Sequence, residues 1–108
     1  MKPLLKVKKS LGQNFLIDNN IIKKIVDIGN VNKNKTVMEI GPGYGSLTQE
    51  ISLREPNKIF AIEKDKKLSV ILKNKFKNTN NIKIINRDAL NIIKENDLEK
   101  NVIVFGNL

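Results

Sequence analysis

The apolar residues of this 108-residue chain gather in four short runs, "TVMEI" from Thr36, "KIFAIE" from Lys58, "IKIIN" from Ile82 and "NVIVFGNL" from Asn101, with helix-length segments between them. Short runs with little polar alternation predict strands covered on both faces. Strands that alternate with helices predict a parallel α/β sheet, because parallel neighbours need crossover connections. The helix signals fall where such a sheet requires them. Asp18 can cap a first helix whose apolar face holds Ile21, Ile22, Ile25, Val26 and Ile28, and Gly29 suits its C-terminal stop. A second helix is expected near Ser46 to Arg54, broken by Pro56 and Asn57. Asp65 can cap a third that runs to about Phe76, and a short helical piece is expected around Leu90 to Lys94. The length allows one domain with a modest core. Residues 1–17 read as a basic arm and residues 18–108 as the α/β unit.

Composition narrows the chemistry. The chain has no Cys and no His, which excludes a disulfide framework, thiolate metal sites and a histidine general base. Neither a metal nor a membrane is expected, since no apolar run approaches the length of a span. The opening "MKPLLKVKKS" is basic but lacks the apolar core of a secretory signal, so the expected location is the cytoplasm. A net charge of +9 suits a polyanionic partner, nucleic acid first among them. A Lys-, Asn- and Ile-rich composition, such as an AT-rich genome produces, is the alternative source of the same excess.

Gly41-Pro42-Gly43-Tyr44-Gly45 follows the first strand and opens a helix, which is the setting of a nucleotide-binding loop. Its spacing is G-x-G-x-G. It is neither the dinucleotide fingerprint nor a P-loop, and a simple strand-to-helix connection remains an alternative. Glu63 closes the second strand, where a carboxylate can accept hydrogen bonds from both ribose hydroxyls of an adenosine. The plain alternative is a surface acid in "EKDKK". Asp88, in "NRDAL", can accept from an adenine amino group or can simply cap the helix after it. In an order 3-2-1-4, Gly106-Asn107-Leu108 at the end of the fourth strand would face the glycine turn across the switch-point crevice.

"LGQNFL", "MEIGPGYGSLT", "AIEKD", "RDAL" and "FGNL" occur in the order and spacing of the bacterial small-subunit ribosomal RNA adenine dimethyltransferases, which the chain resembles from about Lys8 to Leu108. The resemblance implies a Rossmann-like class I fold that binds S-adenosylmethionine (SAM). It also implies N6,N6-dimethylation of two adjacent adenosines near the 3′ end of 16S rRNA, on a precursor of the 30S subunit, by an enzyme that is monomeric at full length. Residue by residue, it implies that Asn14 and Leu16 contact SAM from the arm and that Gly41 and Gly43 border its methionine end. Glu63 would bind the ribose, Asp88 the adenine, and Asn107 with Leu108 would begin the catalytic N-L-P-Y motif. The Pro and Tyr of that motif, the remaining strands and a helical C-terminal domain lie beyond Leu108, so the expectation is an N-terminal fragment without methyltransferase activity alone.

The related 23S rRNA adenine methyltransferases share "QNFL" and a similar turn, but here "GQNFL", Pro42, "DAL" and "GNL" favour the small-subunit branch. An NAD-binding Rossmann domain and a non-catalytic RNA-binding module are the rival classes.

Overall fold

A computed structural model describes residues 18–95 and 102–106. Helix α1 (Asn19–Gly29) leads into β1 (Thr36–Ile40), α2 (Ser46–Leu53), β2 (Lys58–Ile62), α3 (Lys66–Lys75), β3 (Ile82–Ile85), α4 (Ala89–Glu95) and β4 (Val102–Gly106). The four strands form one sheet in the order β3-β2-β1-β4, and every pair is parallel. This is the expected 3-2-1-4 arrangement.

The caps are local and behave as their residue types dictate. The Asp18 carboxylate accepts from the N–H groups of Asn20 (2.9 Å) and Ile21 (3.4 Å), and the Asp65 carboxylate accepts from that of Leu68 (3.1 Å). At the other end of α1 the structure corrects two expectations. The stop is Asn30, in left-handed conformation (φ 53°, ψ 47°), and not Gly29. Gly29 is still helical and lies on the buried stripe with Ile22, Ile25 and Val26. Phe105 of β4 fills the space there, and a Cβ on Gly29 would sit 2.6 Å from its ring. Ile28 falls off that stripe and is 74% exposed.

The core has two layers. On one face of the sheet Ile22, Ile25 and Val26 of α1, with Leu47 and Ile51 of α2, pack on Val37, Ile59 and Phe105. Leu72 and Phe76 bring α3 against Gly45 at the head of α2, on the same side. On the other face Ile92 of α4 packs with Met38 and Ile62. Covering of both faces holds for the inner strands β1 and β2 but not for the outer pair, whose strands have sheet neighbours on one side only. Val104 on β4 is 46% exposed. Because α2 and α3 lie on one face and α4 on the other, the winding reverses between β1 and β4, and a crevice is placed outside their C-terminal ends.

Among the described residues no helix is long and apolar enough to cross a membrane.

Candidate functional site

The strands end flush. In the sheet register Gly106, Ile40, Ile62 and Ile85 form one transverse row, so the residues that follow them leave the sheet side by side. Neighbouring strands lie about 5 Å apart, so Gly41 and Glu63 start as neighbours, and the Gly41 N–H donates to the Ile62 carbonyl at 3.0 Å.

The turn beyond β1 needs its glycines. Gly41, Gly43 and Gly45 have φ of 70°, 61° and 89°, a region that costs other residues about 1–2 kcal/mol each. Two of the three have separable roles. A Cβ on Gly45 would meet Phe76 at 2.8 Å and Leu72 at 3.0 Å, so this glycine admits α3 and serves packing. Among the described residues, a Cβ on Gly43 would meet nothing within 4 Å, so toward them this part of the turn borders open space.

Glu63 is not the surface acid of a charged run. It is 7% exposed and bonded through its backbone and its carboxylate. Its Oε1 accepts from the Gly43 N–H (3.2 Å) and its Oε2 from the Asp65 N–H (2.9 Å). Its own N–H donates to the Ile85 carbonyl, and its carbonyl accepts from Asn86 Nδ2, both at 2.9 Å. A carboxylate offers about four acceptor positions. Two amides leave both oxygens able to take a further hydrogen bond, as a pair of adjacent hydroxyls requires.

Asp88 follows β3 by three residues. Its Oδ1 accepts from the Leu90 N–H (3.0 Å) and its carbonyl from the Asn91 N–H (3.1 Å), so the capping alternative is realised. A cap uses one carboxylate oxygen, and the second keeps the acceptor role chemically open. Asn14, Leu16, Asn107 and Leu108 lie outside the described residues.

Two groups were not anticipated. Asn86 donates from Nδ2 to the Glu63 and Lys64 carbonyls (2.9 and 3.1 Å), pinning the backbone around the acid. Glu39, inside "VMEI", is 1% exposed. The Thr48 hydroxyl on α2 donates to its Oε1, while Oε2 is buried with no hydrogen-bond partner among the described residues. Burial is the main cause that raises its pKa from 4.5 to about 7; the Thr48 bond works in the opposite direction, and the nearby Glu63 charge adds to the rise. An acid in the middle of a buried apolar strand was the available signal, since Glu is rarely buried without a partner.

The donor set fits an adenosyl cofactor: an amide-bonded carboxylate at the end of β2, an open glycine turn beside it at the end of β1, and a second acid beyond β3.

A sequence profile of a family described as ribosomal RNA adenine dimethylase matches residues 4–108. The chain is 48% identical over 104 residues to the ribosomal RNA small subunit methyltransferase A of Pelagibacter ubique, covering 96% of this chain and 38% of that protein. It therefore spans well under half the length of this curated relative. Among solved structures it is similar to the 23S rRNA methyltransferase ErmE (TM-score 0.64, 32% identity, 68% of this chain and 30% of that one). A dimethyladenosine transferase from Plasmodium falciparum shares the fold (TM-score 0.68, 23% identity, 82% and 31%). The fold is that of the class I SAM-dependent methyltransferases.

Proposed function

The chain belongs to the ribosomal RNA adenine dimethylase family, and from that premise we propose that it is the cofactor-holding part of an enzyme that dimethylates N6 of two adjacent adenosines near the 3′ end of 16S rRNA in the maturing small subunit. The observation that carries this reading is the flush row of strand ends, which sets the open glycine turn beside an acid already hydrogen-bonded to it. The name of the Pelagibacter relative supports the small-subunit branch.

In this reading Glu63 holds the ribose diol through the acceptor positions its two amide bonds leave over. The second oxygen of Asp88 accepts from the adenine amino group. Gly41 and Gly43 border the methionine end, and the family resemblance adds Asn14 and Leu16 from the arm. S-adenosylmethionine, when bound, supplies an electrophilic methyl group on a positively charged sulfur.

The acceptor is a poor nucleophile, because the N6 lone pair of adenine is delocalised into the ring. The family resemblance assigns the aiming of that nitrogen to Asn107, whose side-chain carbonyl can accept an N6–H bond, with Leu108 continuing the motif. Orientation of this kind contributes on the order of 7–11 kcal/mol in well-aligned systems, and aimed dipoles stabilise the charge that develops on nitrogen.

The likeness to ErmE favours, as a second reading, an enzyme acting on 23S rRNA. Isothermal titration of the chain with SAM, S-adenosylhomocysteine and NAD tests the cofactor. Binding of the first two and not of NAD is expected. Preferential NAD binding, or no SAM binding, overturns the reading.

A further inference from the structure

Helix α3 and the residues just after it carry Lys66, Lys67, Lys73, Lys75 and Lys77, and no acid occurs between Lys66 and Asn86. The ion pairs among the described residues both belong to Arg54, which joins Asp27 and Glu50 on the α1–α2 side of the molecule. Ser69 and Leu72 mark the buried side of α3. Lys66, Val70 and Lys73 recur at steps of four and three residues along the flank of the helix beside Ser69, and Lys77 follows just past the helix, all of them exposed, with Lys67 and Ile71 nearby. Lys75 leaves this row, since its Nζ donates to the Tyr44 carbonyl at 2.8 Å. Lys83 is not part of it either, because it shares the other face of the sheet with its register partner Phe60.

Helix stability accounts for only part of the row. Lys73 stands in the last turn, where the macrodipole favours a cation, but Lys66 and Lys67 stand in the first turn, where it disfavours them and where the capping Asp65 is the adjacent acid. Lys77 follows the helix, beyond the Phe76 cap. Exposed lysines with no acid between Lys66 and Asn86 make a surface complementary to a polyanion.

We propose that the exposed face of α3 is a docking surface for the phosphate backbone of an RNA strand, separate from the strand-end site. Lys66 and Lys73, about 10 Å apart along the helix, and Lys77 just beyond it neutralise phosphates, while Val70 between the first two contacts the sugars. The assignment of RNA as the polyanion rests on the function proposed above.

Fluorescence anisotropy with a labelled hairpin RNA carrying two adjacent loop adenosines tests the surface across a salt series. Combined Lys66→Glu, Lys73→Glu and Lys77→Glu substitution is expected to weaken binding about ten-fold or more and to reduce the slope of log affinity against log salt by about 2. The corresponding triple change to Gln, which brings no new repulsion, is expected to weaken binding by roughly three-fold or more. Thermal melts should show both variants melting close to the parent, since removing Lys66 from the first turn and Lys73 from the last act on the helix in opposite directions. Lys23→Glu, Lys24→Glu and Lys33→Glu together, the same charge change elsewhere, should cost less than about three-fold.

Equal losses in the α3 and control triples, or unchanged RNA binding in both α3 triples, would overturn the proposal. So would α3-dependent binding to phosphatidylserine vesicles with RNA binding intact. SAM titration of the same samples separates the two readings. An unaltered chain that fails to bind SAM counts against the proposed function, whereas the RNA result bears on α3 alone.

Discussion

The backbone N–H of Gly43 donates to Oε1 of Glu63 across 3.2 Å, tying the turn that leaves β1 to the acid that ends the apolar run of β2. The other oxygen of the same carboxylate takes the Asp65 N–H, just ahead of α3. Turn, acid and helix start are therefore one hydrogen-bonded unit, and the proposed function puts the ribose of the cofactor against its carboxylate.

Glu63→Ala removes the acceptor of two backbone amides and of the ligand. A stability loss of about 1–3 kcal/mol is expected, together with SAM binding about ten- to a hundred-fold weaker. Glu63→Gln keeps one oxygen for an amide and should recover part of the stability but little of the affinity. Calorimetry and thermal melts read the two effects separately, and SAM affinity unchanged in Glu63→Ala would remove this residue from the site.

Asp88 has two candidate roles that one substitution can separate. Asn caps helices about as well as Asp, so Asp88→Asn should melt like the parent, whereas Asp88→Ala should lose about 1 kcal/mol. If the second oxygen accepts from adenine, the amide of Asn offers a donor in its place, and both variants should bind SAM more weakly. Parental affinity in Asp88→Asn would leave Asp88 as a cap only.

The glycines of the turn should respond differently to alanine. Gly45→Ala meets backbone strain and a 2.8 Å approach to Phe76, so its cost in denaturant unfolding should exceed that of Gly43→Ala by about 1–3 kcal/mol. Gly43→Ala, with space around it, should cost about 1–2 kcal/mol from its φ alone. Its methyl group points into the open region beside the turn, so SAM affinity should fall more in Gly43→Ala than its stability does. Equal stability losses in the two variants would contradict the packing role of Gly45.

Glu39 makes stability depend on pH in a stated direction. Its folded pKa of about 7 stands above the ordinary 4.5, so between these values the folded chain binds a proton that the unfolded chain has lost. This group's penalty is absent below pH 4.5, grows as the pH rises through that window and is complete above about 7. The full change is on the order of 3 kcal/mol. Glu39→Gln, neutral at every pH, should flatten that part of the melting-temperature profile and be more stable than the parent above pH 7. A variant that keeps the parental slope would show that another group titrates.

Much of this protein is legible without its tertiary structure. The four apolar runs, the caps at Asp18 and Asp65 and the strand–glycine–helix order appear in the fold within a residue or two of where periodicity and turn chemistry put them. These are local properties, fixed by side-chain spacing, cap geometry and the φ that glycine permits. The sequence also placed Gly41, Gly43, Glu63 and Asp88 at successive strand ends, which the flush register brings onto one edge of the sheet.

What only the tertiary structure decided involves residues that meet through the sheet. Phe105 packs where Gly29 lacks a side chain, and Gly45 serves α3 because Leu72 and Phe76 come to rest on it. Glu63 is buried because the turn of the neighbouring strand donates to it. Glu39 holds a proton toward neutrality because β1 buries it beneath Thr48 and near a second acid. Close approach and desolvation depend on neighbours supplied by other strands and helices, so no window of the sequence contains them.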